Sequence, residues 1–140
     1  MIDLSNTRVP VLLVDDVEDN LDLLARTLRD TDYDLHLARD GQSAMELAQR
    51  VRPAVVLLDI MMPGGLDGYD VCRRLNQRPE DERPGVIFLS ALEGTASMVK
   101  GLKLGAVDYI AKPFRPREVR ARVATQVTVF QLRHALVERN

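Results

Sequence analysis

The sequence predicts an α/β fold: five parallel strands in one sheet, helices on both faces, a (βα)5 chain ending in an extended helix. Three observations predict it. Five short apolar runs recur along the chain, at Val9–Val14, Leu35–Ala38, Ala54–Leu58, Val86–Leu89 and Val107–Ala111. Three stretches, Val11–Val14, Val55–Leu58 and Val86–Leu89, are continuously apolar, as strands covered on both faces must be. The segments between the runs carry helical spacing, and alternating β and α signals call for a parallel sheet.

Taken in order, the first run ends in Asp15-Asp16 and leads to an acidic start, Glu18 and Asp19, that suits a helix N-terminus. Leu21, Leu24, Ala25 and Leu28 then form one apolar stripe. After the second run, Asp40 is placed to cap a helix whose stripe is Ala44, Leu47, Ala48 and Val51. The third run ends in Asp59; beyond Asp67-Gly68, Val71, Cys72 and Leu75 make a third stripe. The fourth ends in Ser90 and is followed by a weaker stripe, Met98, Val99 and Leu102, with Thr95 as its cap and Gly105 as its stop. Gly101 within it marks a helix of low intrinsic stability. The fifth run leads to Lys112. Right-handed crossovers joining five such units lead to the flavodoxin-like strand order 2-1-3-4-5.

The final segment, Arg117 to Arg139, has no Gly or Pro. Its helix would be about 35 Å long, more than one sheet face needs. Val123, Val127, Phe130, His134 and Val137 form one seam, and Val129, Leu132 and Leu136 a second. The expected division is a domain over 1–126 and a helical extension over 127–140, which would join a following domain or pair with a second copy. His134 is read as a seam position and not as a ligand.

Composition excludes several classes. The chain has 140 residues, enough for one domain, and 46 % of them are apolar. With 19 basic and 21 acidic residues, net charge is −2, which gives no general drive toward nucleic acid or a membrane surface. The one cysteine, Cys72, cannot form an internal disulfide, so a cytoplasmic setting is expected.

The polar residues at the strand ends point to chemistry. In an open parallel sheet the carboxyl ends converge on one edge, and ligands bind where the strand order reverses. That edge receives Asp15, Asp16, Asp59, Ser90 and Lys112. Crowded carboxylates must take up a cation or keep a proton. An all-oxygen donor set suits a hard divalent ion, Mg²⁺ in the first place, with Mn²⁺ the other candidate. Lysine and serine can meet phosphoryl oxygens, and a carboxylate can act as nucleophile. Phosphoryl transfer onto a carboxylate is the reaction such a set supports.

Three stretches then carry a family resemblance: Val11–Asp16, Val55–Pro63 and Asp108–Phe114. Over about residues 8–126 the chain resembles the receiver domains of two-component response regulators. The resemblance implies that Asp59 accepts the phosphoryl group from a sensor histidine kinase or phosphotransfer protein. It implies that Asp15, Asp16, Asp59 and the backbone carbonyl of Met61 hold Mg²⁺, and that Ser90 and Lys112 bind phosphoryl oxygens. Ser90 and Tyr109 would form the switch, and Lys112–Pro113 would be a cis peptide. A downstream effector domain or protein would receive the signal, and no reaction on a separate substrate is expected. Apolar Met61 and Leu92 stand where the family often steers the hydrolytic water, which would lengthen the phosphoryl lifetime. One departure is the loop after Pro63, where Gly64, Gly65 and Leu66 precede Asp67-Gly68 and the family usually has two residues. Against this stands the reading of a pseudo-receiver, an unphosphorylated binding or dimerisation module, although no ligand role is vacant.

Overall fold

The computed structural model describes residues 8–91 and 95–139. Strand β1 (Val9–Val14) is followed by α1 (Glu18–Leu28), β2 (Tyr33–Ala38), α2 (Gly41–Val51) and β3 (Val55–Asp59). The second half runs α3 (Gly68–Leu75), β4 (Gly85–Ser90), α4 (Thr95–Lys103), β5 (Asp108–Ala111) and α5 (Pro116–Arg139). All four strand pairings are parallel, and the sheet order is β2-β1-β3-β4-β5.

Alternation along the strands divides the core between the two faces. Leu12, Val14, Val56, Leu58, Val86 and Phe88 pack against Ala44 and Ala48 of α2 and Val71, Cys72 and Leu75 of α3. Val11, Leu13, Val55, Leu57, Ile87, Leu89 and Ile110 pack against Leu21, Leu24 and Leu28 of α1 and Val119, Val123 and Val127 of α5. Both faces are therefore covered, which is why the central strands need no polar side.

Local signals act where the sequence puts them. Asp40 accepts the Ser43 amide at 2.7 Å and caps α2. Asp67 and Asp70 form a reciprocal capping box at the start of α3, at 2.9 and 3.1 Å. Gly105, at φ +102°, turns the chain out of α4. The side chains of Thr95, Leu136 and Val137, and all of Leu92, lie outside the described residues.

Helix α4 differs from the sequence expectation in phase. Met98, Val99 and Leu102 are exposed, while Gly101 is buried with Ser97 and Leu104 partly so. The reason is Gly101: a Cβ there would stand 2.7 Å from the Phe88 ring. The helix approaches the sheet along its glycine, and its larger apolar side chains are turned outward. Gly101 is thus a packing requirement rather than a mere weak point. Tyr69 completes this corner, with its ring edge-on to Phe88 at 5.4 Å and Lys100 4.2 Å above it.

Helix α5 follows the sheet to Val127, with Phe130 at the margin. Arg122 pairs with both oxygens of Asp108 at 2.7 Å, and Arg120 donates to the Thr27 carbonyl at 3.3 Å. Further on, His134 lies against Phe130 with ring centroids 4.0 Å apart, and Leu132 is 60 % exposed. No helix of the described residues is long and apolar enough to cross a membrane.

Candidate functional site

The carboxyl ends of β1, β3, β4 and β5 deliver Asp15, Asp59, Ser90 and Lys112 to one edge of the sheet. The register explains their convergence. Val14 pairs with Leu58 and Asp59 with Leu89, so Asp15 and Asp59 leave adjacent strands at the same level. Ser90 pairs with Ala111, and the Lys112 amide donates to the Ser90 carbonyl at 2.9 Å, which brings Lys112 in from the fifth strand. The Lys112–Pro113 peptide bond is cis. Asp15, Asp59 and Ser90 are the buried polar residues of the described core.

Asp15, Asp16 and Asp59 each place a carboxylate oxygen within 4.8 Å of the others. The Lys112 ammonium lies between two of them, 3.0 Å from Asp15 Oδ2 and 3.3 Å from Asp59 Oδ1. Asp15 also accepts the Val17 amide on Oδ1 at 2.9 Å and the Asn20 side-chain amide on Oδ2 at 3.2 Å. Tyr109 is half-buried one residue into β5, and its amide donates to the Asp108 carboxylate at 2.8 Å. Met61 has its side chain outside, 63 % exposed, two residues beyond Asp59.

Charge accounts for the titration of the pocket. Burial raises the Asp59 carboxyl to about 6, the neighbouring Asp15 carboxylate adds to this, and Lys112 opposes it. A hydrogen bond shared with Asp16 pushes in the same upward direction. Burial alone would lower the Lys112 ammonium, but Asp15 and Asp59 outweigh it and hold it above its ordinary value. One lysine does not balance three carboxylates. A hard divalent cation, with oxygen donors from Asp15, Asp16 and Asp59, fits both the donor set and the charge it leaves uncompensated.

This imbalance has a measurable consequence in metal-free protein. The folded carboxyl of Asp59 titrates near 6, above its ordinary 3.8, so the folded chain holds a proton that the unfolded chain releases. The contribution of Asp59 to stability is therefore full below about pH 4 and is lost as pH rises through about 6. Asp59→Asn removes the penalty. In EDTA at pH 7.5 the variant should be more stable than the native chain by about 1–2 kcal/mol, with the difference vanishing near pH 4. Urea denaturation at the two pH values measures this, and equal stability at pH 7.5 would contradict it.

A five-stranded 2-1-3-4-5 sheet with an acidic, lysine-flanked pocket at its carboxyl edge defines a flavodoxin-like receiver fold. The chain belongs to the response regulator receiver domain family, whose model matches residues 11–124. It is 39 % identical over 122 residues to the response regulator PleD of Caulobacter vibrioides, an overlap of 87 % of this chain and 26 % of that protein. The chain thus spans about a quarter of that relative's length. Among solved structures, a signal receiver domain from Vibrio parahaemolyticus is 29 % identical with a TM-score of 0.85, over 94 % of this chain and 98 % of that one. A response regulator/GGDEF domain protein is 26 % identical with a TM-score of 0.82, over 91 % of this chain and 52 % of that one. Receiver domains of this family are switches of two-component signalling rather than classical enzymes, bind Mg²⁺ through an acidic pocket, and work with histidine kinases and output domains.

Sequence reasoning did not single out Asn20. It sits on α1, away from the strand ends that reveal the other residues, and its carboxamide reaches back to Asp15.

Proposed function

We propose that Asp59 of this chain accepts a phosphoryl group from a histidine kinase or phosphotransfer protein, with Asp15, Asp16, Asp59 and the Met61 carbonyl holding Mg²⁺. The observation that carries this reading is the contact of Lys112 with both Asp15 and Asp59 at the mouth of an acidic trio. An Asp59 carboxylate oxygen attacks phosphorus, the new O–P bond forms, and the bond to the donor's nitrogen or oxygen breaks. Bound Mg²⁺ supplies charge neutralisation for the phosphoryl oxygens. Lys112 and Ser90 would meet those oxygens as well, and burial of Asp59 limits access of bulk water. Hydrolysis of the acyl phosphate by water returns the carboxylate and inorganic phosphate. The pseudo-receiver reading is not favoured, because the acidic trio, the serine and the lysine are all in place.

Incubation with Mg²⁺ and acetyl phosphate, followed by intact-mass measurement, tests this. One phosphoryl group should be gained by the native chain, none without Mg²⁺, and none by Asp59→Asn. A gain that survives in the variant would mean another nucleophile.

Under the same reading the added charge on Asp59 draws Ser90 toward it, and Tyr109 moves into the space released, repacking the face of α4, β5 and α5. A Tyr109→Ala protein with unchanged output would refute that route. Exposed Met61 offers no polar group to orient a hydrolytic water, which favours a long-lived phosphoryl state.

Residues 1–126 form the receiver on this reading, and 127–140 extend α5 toward a partner. The exposed Leu132 on a helix that outlasts its sheet supports pairing of two copies, or connection to an output domain such as the GGDEF domain of the similar protein. Ultracentrifugation of the chain with and without residues 127–140 separates these: a dimer lost on truncation supports pairing, and a monomer in both leaves the connector role. On this reading the chain works in the cytoplasm, where such partners would meet it.

A further inference from the structure

We infer that Asn20 is a positioning residue for the metal pocket, acting through Asp15, and that its amide sets the affinity of the site for divalent cations. This inference rests on the proposed metal role of Asp15. Helix α1 begins at Glu18 with Val17 at its N-cap, and Val17 has no side-chain group to bond the first-turn amides. Asn20 is the third residue of the helix. In a capping box the side chain at this position reaches back to the cap residue. Here it reaches further, and Nδ2 ends 3.2 Å from Asp15 Oδ2.

The result is a carboxylate fixed at both oxygens. Oδ1 receives the Val17 amide at 2.9 Å, and Oδ2 receives Asn20 at 3.2 Å and Lys112 at 3.0 Å. Of these, the Lys112 contact is the one a bound cation would oppose, because two positive charges beside one oxygen repel. When Lys112 withdraws, the Val17 amide alone does not fix rotation of the carboxylate about its Cβ–Cγ bond. Asn20 supplies the second point and holds an Oδ2 lone pair toward the pocket. Outer-shell donors of this type typically contribute about 10–100-fold to metal affinity.

The measurement is Mn²⁺ binding, followed by the electron paramagnetic resonance signal of free Mn²⁺ and by Mg²⁺ competition, on native, Asn20→Ala, Asn20→Leu and Asp59→Asn chains. Asn20→Ala should raise the Mn²⁺ dissociation constant about tenfold in a chain that keeps the native circular dichroism and a cooperative thermal transition. Asn20→Leu keeps the bulk without the donor and should match it. The acetyl phosphate rate of both variants should return to within about twofold of native at saturating Mg²⁺, a recovery that general loss of structure would not give. A dissociation constant within twofold of native in Asn20→Ala, or native affinity in Asn20→Leu, overturns the inference. Failure of the native chain itself to bind Mn²⁺, or unchanged binding by Asp59→Asn, overturns instead the metal site on which it rests.

Discussion

Lys112→Met is expected to slow phosphoryl transfer to Asp59 by about 10²–10³-fold while tightening Mg²⁺ binding. The two changes have opposite sign because the lysine plays opposite parts toward the two charges. Its ammonium lies 3.0 Å from Asp15 and 3.3 Å from Asp59, so it competes with a cation for the same oxygens. Removing it leaves the carboxylates free for metal. It also removes the positive charge that meets the phosphoryl oxygens as the O–P bond forms, and pre-set charges of this kind commonly contribute factors of that size. Lys112 restrains the upward shift of Asp59, which stands at about 6 with the lysine present. Without it the metal-free carboxyl rises further, but bound Mg²⁺ keeps Asp59 ionised, so the deficit at saturating Mg²⁺ should be similar at pH 7 and pH 9. Single-turnover phosphorylation at saturating Mg²⁺, at pH 7 and pH 9, with a parallel metal titration, measures both effects. A rate within threefold of native at pH 7, or weakened metal binding, would sink this account of the lysine.

Most of the pocket was legible in the sequence for one physical reason. A strand buried on both faces is a continuous apolar run, so a polar residue closing such a run must stand at its end. Asp15, Asp59 and Ser90 each do so, and parallel topology gathers those ends at a single edge. Lys112 follows a shorter run but obeys the same geometry. What stayed hidden depends on side chains from other elements. Asn20 sits among polar residues at a helix start, where spacing says nothing about a carboxamide reaching back five residues. The phase of α4 was hidden too. Apolar periodicity pointed to Met98, Val99 and Leu102 as the inner stripe, but Phe88 requires a residue without a side chain opposite its ring. Hydrophobic pattern records which residues can be buried; it does not record where a ring needs room.

Gly68→Ala is expected to destabilise the fold by about 2–3 kcal/mol and to weaken metal binding with it, more than Gly65→Ala does. Gly68 is outside the left-handed region, so space rather than backbone freedom requires it. A Cβ there would stand 2.3 Å from the Asp59 carbonyl oxygen and 2.7 Å from Ile60 Cα. Those are backbone atoms of β3 and its exit, and they cannot swing aside as a side chain end can. The Gly68 amide also donates to the Ile60 carbonyl at 2.9 Å, closing the loop that leaves Asp59 onto the start of α3. Gly41 presses on the same loop from α2, where a Cβ would meet the Leu66 carbonyl oxygen at 2.5 Å. Added bulk at Gly68 must therefore push α3 outward or displace Asp59, and the second movement carries the nucleophile away from Asp15 and Lys112. Gly65 provides the contrast. It sits at φ +104° and a Cβ there would meet nothing within 4 Å, so alanine carries a backbone cost of about 1–2 kcal/mol and no clash. The extra residue of this loop is accommodated in open solvent beyond the closure, which is why it need not disturb Asp59. Thermal melts and Mn²⁺ titrations of the two variants decide the point. A Gly65→Ala chain less stable than Gly68→Ala, or native metal affinity in a destabilised Gly68→Ala chain, would show that the loop closure does not hold the nucleophile in place.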